Sequence, residues 1–160
     1  LNNSYLSNEQ KKSKKRVVVY ETKEPLSIGD RIPNVDLLEK NSAIKLHSLI
    51  TDHLILVIAS STCGACEGTL ETIYEFTREN KTANIVLIFN SNIDSFKRTK
   101  LIFGDSIRIF PMDIETMLNE FKTTFLPLGF SLDGGGIIKS SHAFSDMEMF
   151  LELLQPVGRN

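Results

Sequence analysis

Tryptophan is absent from this 160-residue chain, cysteine occurs only twice, and proline only five times. Two cysteines rule out a small fold stapled by several disulfides and supply only half of a four-ligand metal centre, while the three histidines, His47, His53 and His142, are scattered along the chain. No apolar run approaches the roughly 20 residues needed to cross a bilayer as a helix. The apolar piece Val17–Tyr20 is also too short for the core of a signal peptide. Neither charge sign dominates, with 18 Lys and Arg against 20 Asp and Glu. A concentrated basic face of the kind that binds phosphate backbones is therefore lacking, and nucleic acid is not expected as a partner. Enough apolar residues remain, 41% of the chain, to fill one ordinary core.

Charge is unevenly spread. Residues 1–25 hold six basic side chains against three acids, and the remainder is mildly acidic. This divides the chain into a polar, basic linker over 1–25 and a folded domain over 26–160. The run Lys11-Lys12-Ser13-Lys14-Lys15-Arg16 reads first as a solvated linker. Its sharper reading is a segment resting on anionic lipid, at about 1 kcal/mol per basic residue. The chain begins at Leu1 and not at methionine, so a signal or anchor upstream, and with it a membrane tether, is part of the expectation.

From Leu26 the pattern becomes regular. Val35–Leu38 and Ala43–Leu46 flank a polar tetrapeptide and read as a hairpin, with Val17–Tyr20 as a short edge strand before it. Leu54–Ala59 and Ile85–Phe89 read as strands buried on both faces, and Ile107–Phe110 as a short third. Leu70, Ile73, Tyr74 and Thr77 recur at helical steps opposite Glu67, Glu71, Glu75 and Arg78, which predicts an amphipathic helix over 66–79. Helices are also predicted over Ile93–Phe103, Ile114–Phe121 and from an Asp146 cap to Leu154. Asp133-Gly134-Gly135-Gly136 joins two antiparallel strands, Leu128–Leu132 and Ile137–Ser141. The order predicts an α/β fold, a mixed β-sheet flanked by helices with an N-terminal β-hairpin.

Both cysteines lie in Cys63-Gly64-Ala65-Cys66, between the first buried strand and the helix that follows. A helix start offers unpaired N–H groups and a positive dipole end, which favour thiolate over thiol. Such a placement suits reversible dithiol–disulfide exchange. If the helix begins at or just after Cys63, that sulfur is the exposed nucleophile. Cys66, one turn in, is then the more buried resolving thiol. Gly64 and Ala65 are small enough to let a partner chain approach. A structural disulfide here would close too short a loop to stabilise the fold much. Metal delivery by the pair is the remaining reading.

Three stretches resemble the thioredoxin superfamily, and within it the TlpA/ResA-like thiol–disulfide oxidoreductases of the redoxin group. They are Ile28–Leu37 with Ile44–Leu49, the segment Ser61–Cys66, and Leu126–Ile138, which is similar to the family's proline-bearing strand segment. The resemblance spans Leu26 to Leu154 and implies a thioredoxin-like fold. It implies that Pro127 is a cis-proline facing the dithiol and that Leu126 offers its backbone to an incoming peptide. Cysteine-containing proteins are the implied partners, apocytochromes and other envelope proteins among them, with an upstream redox partner. Also implied are an extracytoplasmic location in the periplasm or cell envelope, a monomer, and no cofactor or metal.

Several positions depart from that family. Thr62 and Ala65 replace its usual tryptophan and proline, and Val57 and Thr69 stand where relatives carry an acid. Nor does a histidine lie inside the motif, which tilts the reading toward a reductant or general exchange protein. Two alternatives compete. A peroxidase of the redoxin group would need a threonine and a proline where Ser60 and Val57 stand. A Sco-like copper-binding protein would use both cysteines and a distant histidine, here His142, although its cysteines are normally separated by three residues and not, as here, by two.

Overall fold

The computed structural model describes residues 24–158, and both the Val17–Tyr20 strand and the basic run expected from the sequence lie outside them. A hairpin opens the described chain, with β1 (Asp36–Glu39) antiparallel to β2 (Ser42–Lys45), followed by a 3-10 turn over Leu46–Leu49. Then come β3 (His53–Ser60), α1 (Cys66–Glu79), β4 (Ile85–Asn90), α2 (Ile93–Phe103), β5 (Arg108–Pro111) and α3 (Ile114–Glu120). The chain closes with β6 (Leu128–Asp133), β7 (Ile138–His142) and α4 (Met147–Leu154).

Five strands form one mixed sheet in the order β5-β4-β3-β6-β7. β3, β4 and β5 run parallel through helical crossovers, while β6 and β7 are antiparallel additions on the other side of β3. This is the mixed sheet with a leading hairpin that the alternation of patterns predicts. β3 is central because all eight of its residues are buried. Leu54, Leu56 and Ile58 face a core shared with the hairpin and α3, through Leu37, Leu46, Met117 and Phe121. Ile55, Val57 and Ala59 face the opposite core, with Ile73 and Phe76 of α1, Phe103 of α2 and Phe150 and Leu153 of α4. An uninterrupted apolar strand is what a sheet covered on both faces requires.

One expectation needs correcting. Tyr74 does not belong to the buried face of α1; it is 40% exposed, and Thr69, Thr72 and Phe76 take the inner positions with Ile73 and Thr77. Threonine methyls fill this face beside the larger side chains, while their hydroxyls return to the helix's own carbonyls, as Thr72 does to Gly68 at 2.8 Å. The lead-in before the hairpin is irregular but tied down by hydrogen bonds. Gly29 and Ile32 donate N–H groups to Ile138 and Gly136, and Arg31 bridges Ile137, so this segment lies along β7.

The turn between β6 and β7 shows why its residues were legible. Gly136 adopts φ +82°, a conformation that a Cβ disfavours, and the Asp133 carboxylate accepts N–H groups from Gly135 and Ile137 at 2.9 and 3.0 Å. The Ile137 N–H above all holds this carboxyl below its ordinary 3.8. The N-terminal cap of α3 works alike, since the Thr116 N–H and hydroxyl lower the Asp113 pKa. A lowered folded-state pKa contributes stability above 3.8 that is lost as pH falls through the folded value. Asp113→Asn and Asp133→Asn, which keep an oxygen acceptor but cannot titrate, should each flatten the acid limb of a stability–pH curve measured by urea unfolding.

Candidate active site

β3 delivers its C-terminal end to the dithiol. Ser60 closes the strand, its carbonyl accepts the Cys63 N–H at 3.2 Å, and the Cys63 carbonyl in turn accepts the Cys66 N–H at 3.1 Å. Cys63 and Cys66 are joined as a disulfide with their Cα atoms 5.3 Å apart. The α-helix starts at Cys66, so Cys66 is its first residue and not one turn inside it. Cys63–Ala65 form a separate turn leading in. The reason is local: the Cys66 N–H closes a three-residue turn onto the Cys63 carbonyl, and regular helical bonding begins only after it. Both sulfurs therefore lie at the positive end of α1.

Their exposures differ. Cys66 is 1% exposed and belongs to the apolar core that includes Val57, Phe89 and Phe144, whereas Cys63 is only partly buried. Gly64 and Ala65 are exposed beside it. On one flank, Cys63 Sγ lies 3.4 Å from the Leu126 carbonyl oxygen, and the Leu126–Pro127 peptide is cis. A reduced Cys63 would present its thiol to that carbonyl. Phe125, just before, is an exposed aromatic. Both cysteines also line a groove of about 340 Å³ with Ser60, Thr62, Glu67, Leu70, Ser95 and Thr99, which Leu126 and Pro127 do not reach.

Among the described residues, none of the positions expected to hold an acid beneath the pair does so. Val57 is fully buried in the apolar core, Thr69 is fully buried, and Glu67 and Glu71 are exposed on α1. What stands near Cys66 instead is Ser60, whose backbone N–H donates to Cys66 Sγ at 3.4 Å. Its hydroxyl donates to Asn90 Oδ1 at 2.8 Å and accepts the Thr62 N–H at 3.2 Å. With the Ser60 hydrogen so committed, the Thr62 hydroxyl, 3.0 Å away, must be the donor of that pair. Asn90 continues to the Met112 carbonyl at 3.3 Å, so the network ties the ends of β3, β4 and β5 under the dithiol. The sequence marked Ser60 only as a departure from a peroxidase pattern, and Asn90 not at all. The available signal was a polar residue ending each of two apolar strands, at the carboxyl end of the parallel strands where α/β sites gather.

Ser60→Ala removes three hydrogen bonds, but solvent reaches Thr62 and Asn90, so the expected cost is about 1 kcal/mol. The same variant frees the turn that aims the Ser60 N–H at Cys66. Its disulfide should become easier to form and harder to reduce, seen as a more negative potential in glutathione buffers.

His142, the candidate third ligand for copper, sits at the end of β7 with Nδ1 2.9 Å from the Ala143 carbonyl oxygen. Among the described residues no three His, Cys, Asp or Glu side chains converge as a metal site.

Neither a protein-family model nor a curated protein matches this sequence. Solved structures do. A thiol:disulfide interchange protein DsbE of Chlorobium tepidum superposes with TM-score 0.68 at 17% identity, covering 83% of this chain and 99% of that one. A thio-disulfide isomerase of Thermus thermophilus gives 0.62 at 17% identity, covering 84% and 99%. The exposed lipoprotein thioredoxin Etrx1 of Streptococcus pneumoniae gives 0.59 at 15%, covering 77% and 98%. The fold is thioredoxin-like, as the resemblance implied.

Proposed function

We propose that this protein is a thiol–disulfide oxidoreductase in which Cys63 attacks and Cys66 resolves. The observation that carries the reading is the asymmetry of the pair: a reachable Cys63 at a positive helix end, and a 1% exposed Cys66 held within bonding distance of it. Leu126 and Pro127 form one wall for the incoming polypeptide, and Gly64 and Ala65 leave its path open. The partners are cysteine-containing proteins and an upstream donor or acceptor of electrons. The similar DsbE and lipoprotein structures support an extracytoplasmic setting, in the periplasm or at the cell envelope, with the basic segment of residues 1–25 as linker to a tether. Among the described residues no helix is long and apolar enough to cross a membrane.

Competition alkylation of the reduced protein tests the order of attack. Cys63 should be modified on the order of tenfold faster than Cys66 under native conditions, and the rates should converge in denaturant. Equal native rates would contradict the assignment. Of the alternatives, peroxide consumption by the reduced protein at a rate exceeding exchange would favour the peroxidase. Stoichiometric copper binding lost in His142→Ala would favour the carrier.

A further inference from the structure

The groove beside the dithiol does not end at the cysteines. It meets a second hollow of about 360 Å³ between α1 and α2, lined by Leu70, Tyr74, Thr99, Ile102 and Phe103, and the two share Leu70 and Thr99. Together they form one furrow leading away from Cys63, and neither Leu126 nor Pro127 lines it. Its floor is apolar and open: Ile102 is 62% exposed and Tyr74 40%. Its α1 wall is acidic, for Glu67 lines the first part and Glu71 and Glu75 the second. These glutamates stand four residues apart along one stripe, where like charges weaken a helix by about 0.2–0.5 kcal/mol per pair. None has an ion-pair partner among the described residues. Arg78, at the far end, leans on the Tyr74 ring at 5.9 Å, and Lys97, Arg98 and Lys100 of α2 do not line the furrow.

We infer that this furrow docks a cysteine-bearing segment of the substrate protein that carries apolar residues and then Lys or Arg beyond its cysteine. The inference rests on the thiol-exchange reading and names the substrate class for it. The eight helical steps from Glu67 to Glu75 span about 12 Å, which an extended peptide covers in about four residues. Basic side chains three to six positions from the cysteine therefore reach Glu71 and Glu75, while an apolar residue between them lies over Leu70 and Ile102. In the exchange, the Cys63 thiolate attacks the substrate sulfur, forming a mixed disulfide and expelling the other substrate sulfur as thiolate. Cys66 thiolate then attacks Cys63 Sγ and releases the second. Two electrons pass to the substrate, which takes up two protons as its thiols form, and the protein is left as the disulfide. A thiol reductant restores it.

The test is single-turnover exchange by the full, reduced chain with two peptides, each carrying one cysteine disulfide-bonded to mercaptoethanol. One has Ala-Leu and then Lys-Arg after the cysteine, with the basic residues at the third and fourth positions; the other has Ala-Leu and then Glu-Glu. Bis(2-hydroxyethyl) disulfide is the neutral reference. The basic peptide should react about tenfold faster at low ionic strength, and the advantage should fall with salt. Glu71→Lys with Glu75→Lys should reverse the preference and Ile102→Asp should slow both peptides, all with the reference rate unchanged. Equal peptide rates alongside normal reference exchange would overturn the docking and leave the chemistry standing. A preference that appears only when Lys11, Lys12, Lys14, Lys15 and Arg16 are changed to Ser assigns the furrow to this chain's own basic run, which also overturns it. No exchange even with the reference would sink the thiol-exchange reading and this inference with it.

Discussion

Cys63→Ser should abolish exchange with protein disulfides, a loss of at least about a thousandfold, whereas Cys66→Ser should stop the reaction midway. The two cysteines differ by position and not by chemistry, so the variants separate their roles. Without Cys63 the remaining sulfur is 1% exposed, within the apolar core that holds Val57, Phe89 and Phe144, and a substrate sulfur cannot line up with it. Without Cys66 the nucleophile still sits at the helix end beside the Leu126 carbonyl, 3.4 Å away, and can still attack. The mixed disulfide then has no internal thiol to resolve it and accumulates. Mass spectrometry of protein captured by Cys66→Ser reads this directly. A Cys63→Ser variant that retains turnover, or captures partners as well as Cys66→Ser does, would reverse the roles.

Gly68→Ala should cost about 2 kcal/mol of stability and most of the exchange activity. Helix propensity alone argues the other way, because alanine inside a helix is favoured over glycine by about 1 kcal/mol. Packing decides the sign. A Cβ at Gly68 would fall 2.7 Å from the backbone oxygen of Ser145, an atom that no rotamer change can move aside. One residue on, the buried Thr69 hydroxyl donates to the Phe144 carbonyl at 2.5 Å. Gly68 and Thr69 thus dock the first turn of α1, which carries Cys66, onto the segment after β7. Displacing that turn breaks the Thr69 bond and shifts Cys66 away from the Ser60 N–H. Thermal unfolding and turnover should fall together. A Gly68→Ala protein more stable than the parent would show that the segment yields freely.

That docking explains the residue at position 69. The sequence marks Thr69 as a missing acid, and only the structure shows its hydroxyl spent on a carbonyl 75 residues away. Long-range pairs of this kind leave no periodic trace. The same holds for the Ser60, Thr62 and Asn90 network, whose members share no local pattern. The elements themselves were legible, because each is short, apolar and punctuated: Asn92, Asp113 and Asp146 cap three helices, and Asp133–Gly136 makes the turn. Strand edges drifted by a residue, since backbone pairing extends past the last apolar side chain. At the dithiol, spacing alone located both sulfurs at a helix start. The residue at which the helix begins depended on a hydrogen bond within the turn.

The most direct test of the central claim is a redox titration of the full chain in glutathione buffers, quenched by alkylation and read by mass. The account predicts a single two-electron transition between dithiol and Cys63–Cys66 disulfide, with a midpoint between about −120 and −270 mV, where exchange proteins lie. A pair that stays oxidised below about −300 mV, as structural disulfides do, or that never closes in oxidising buffer, would contradict it.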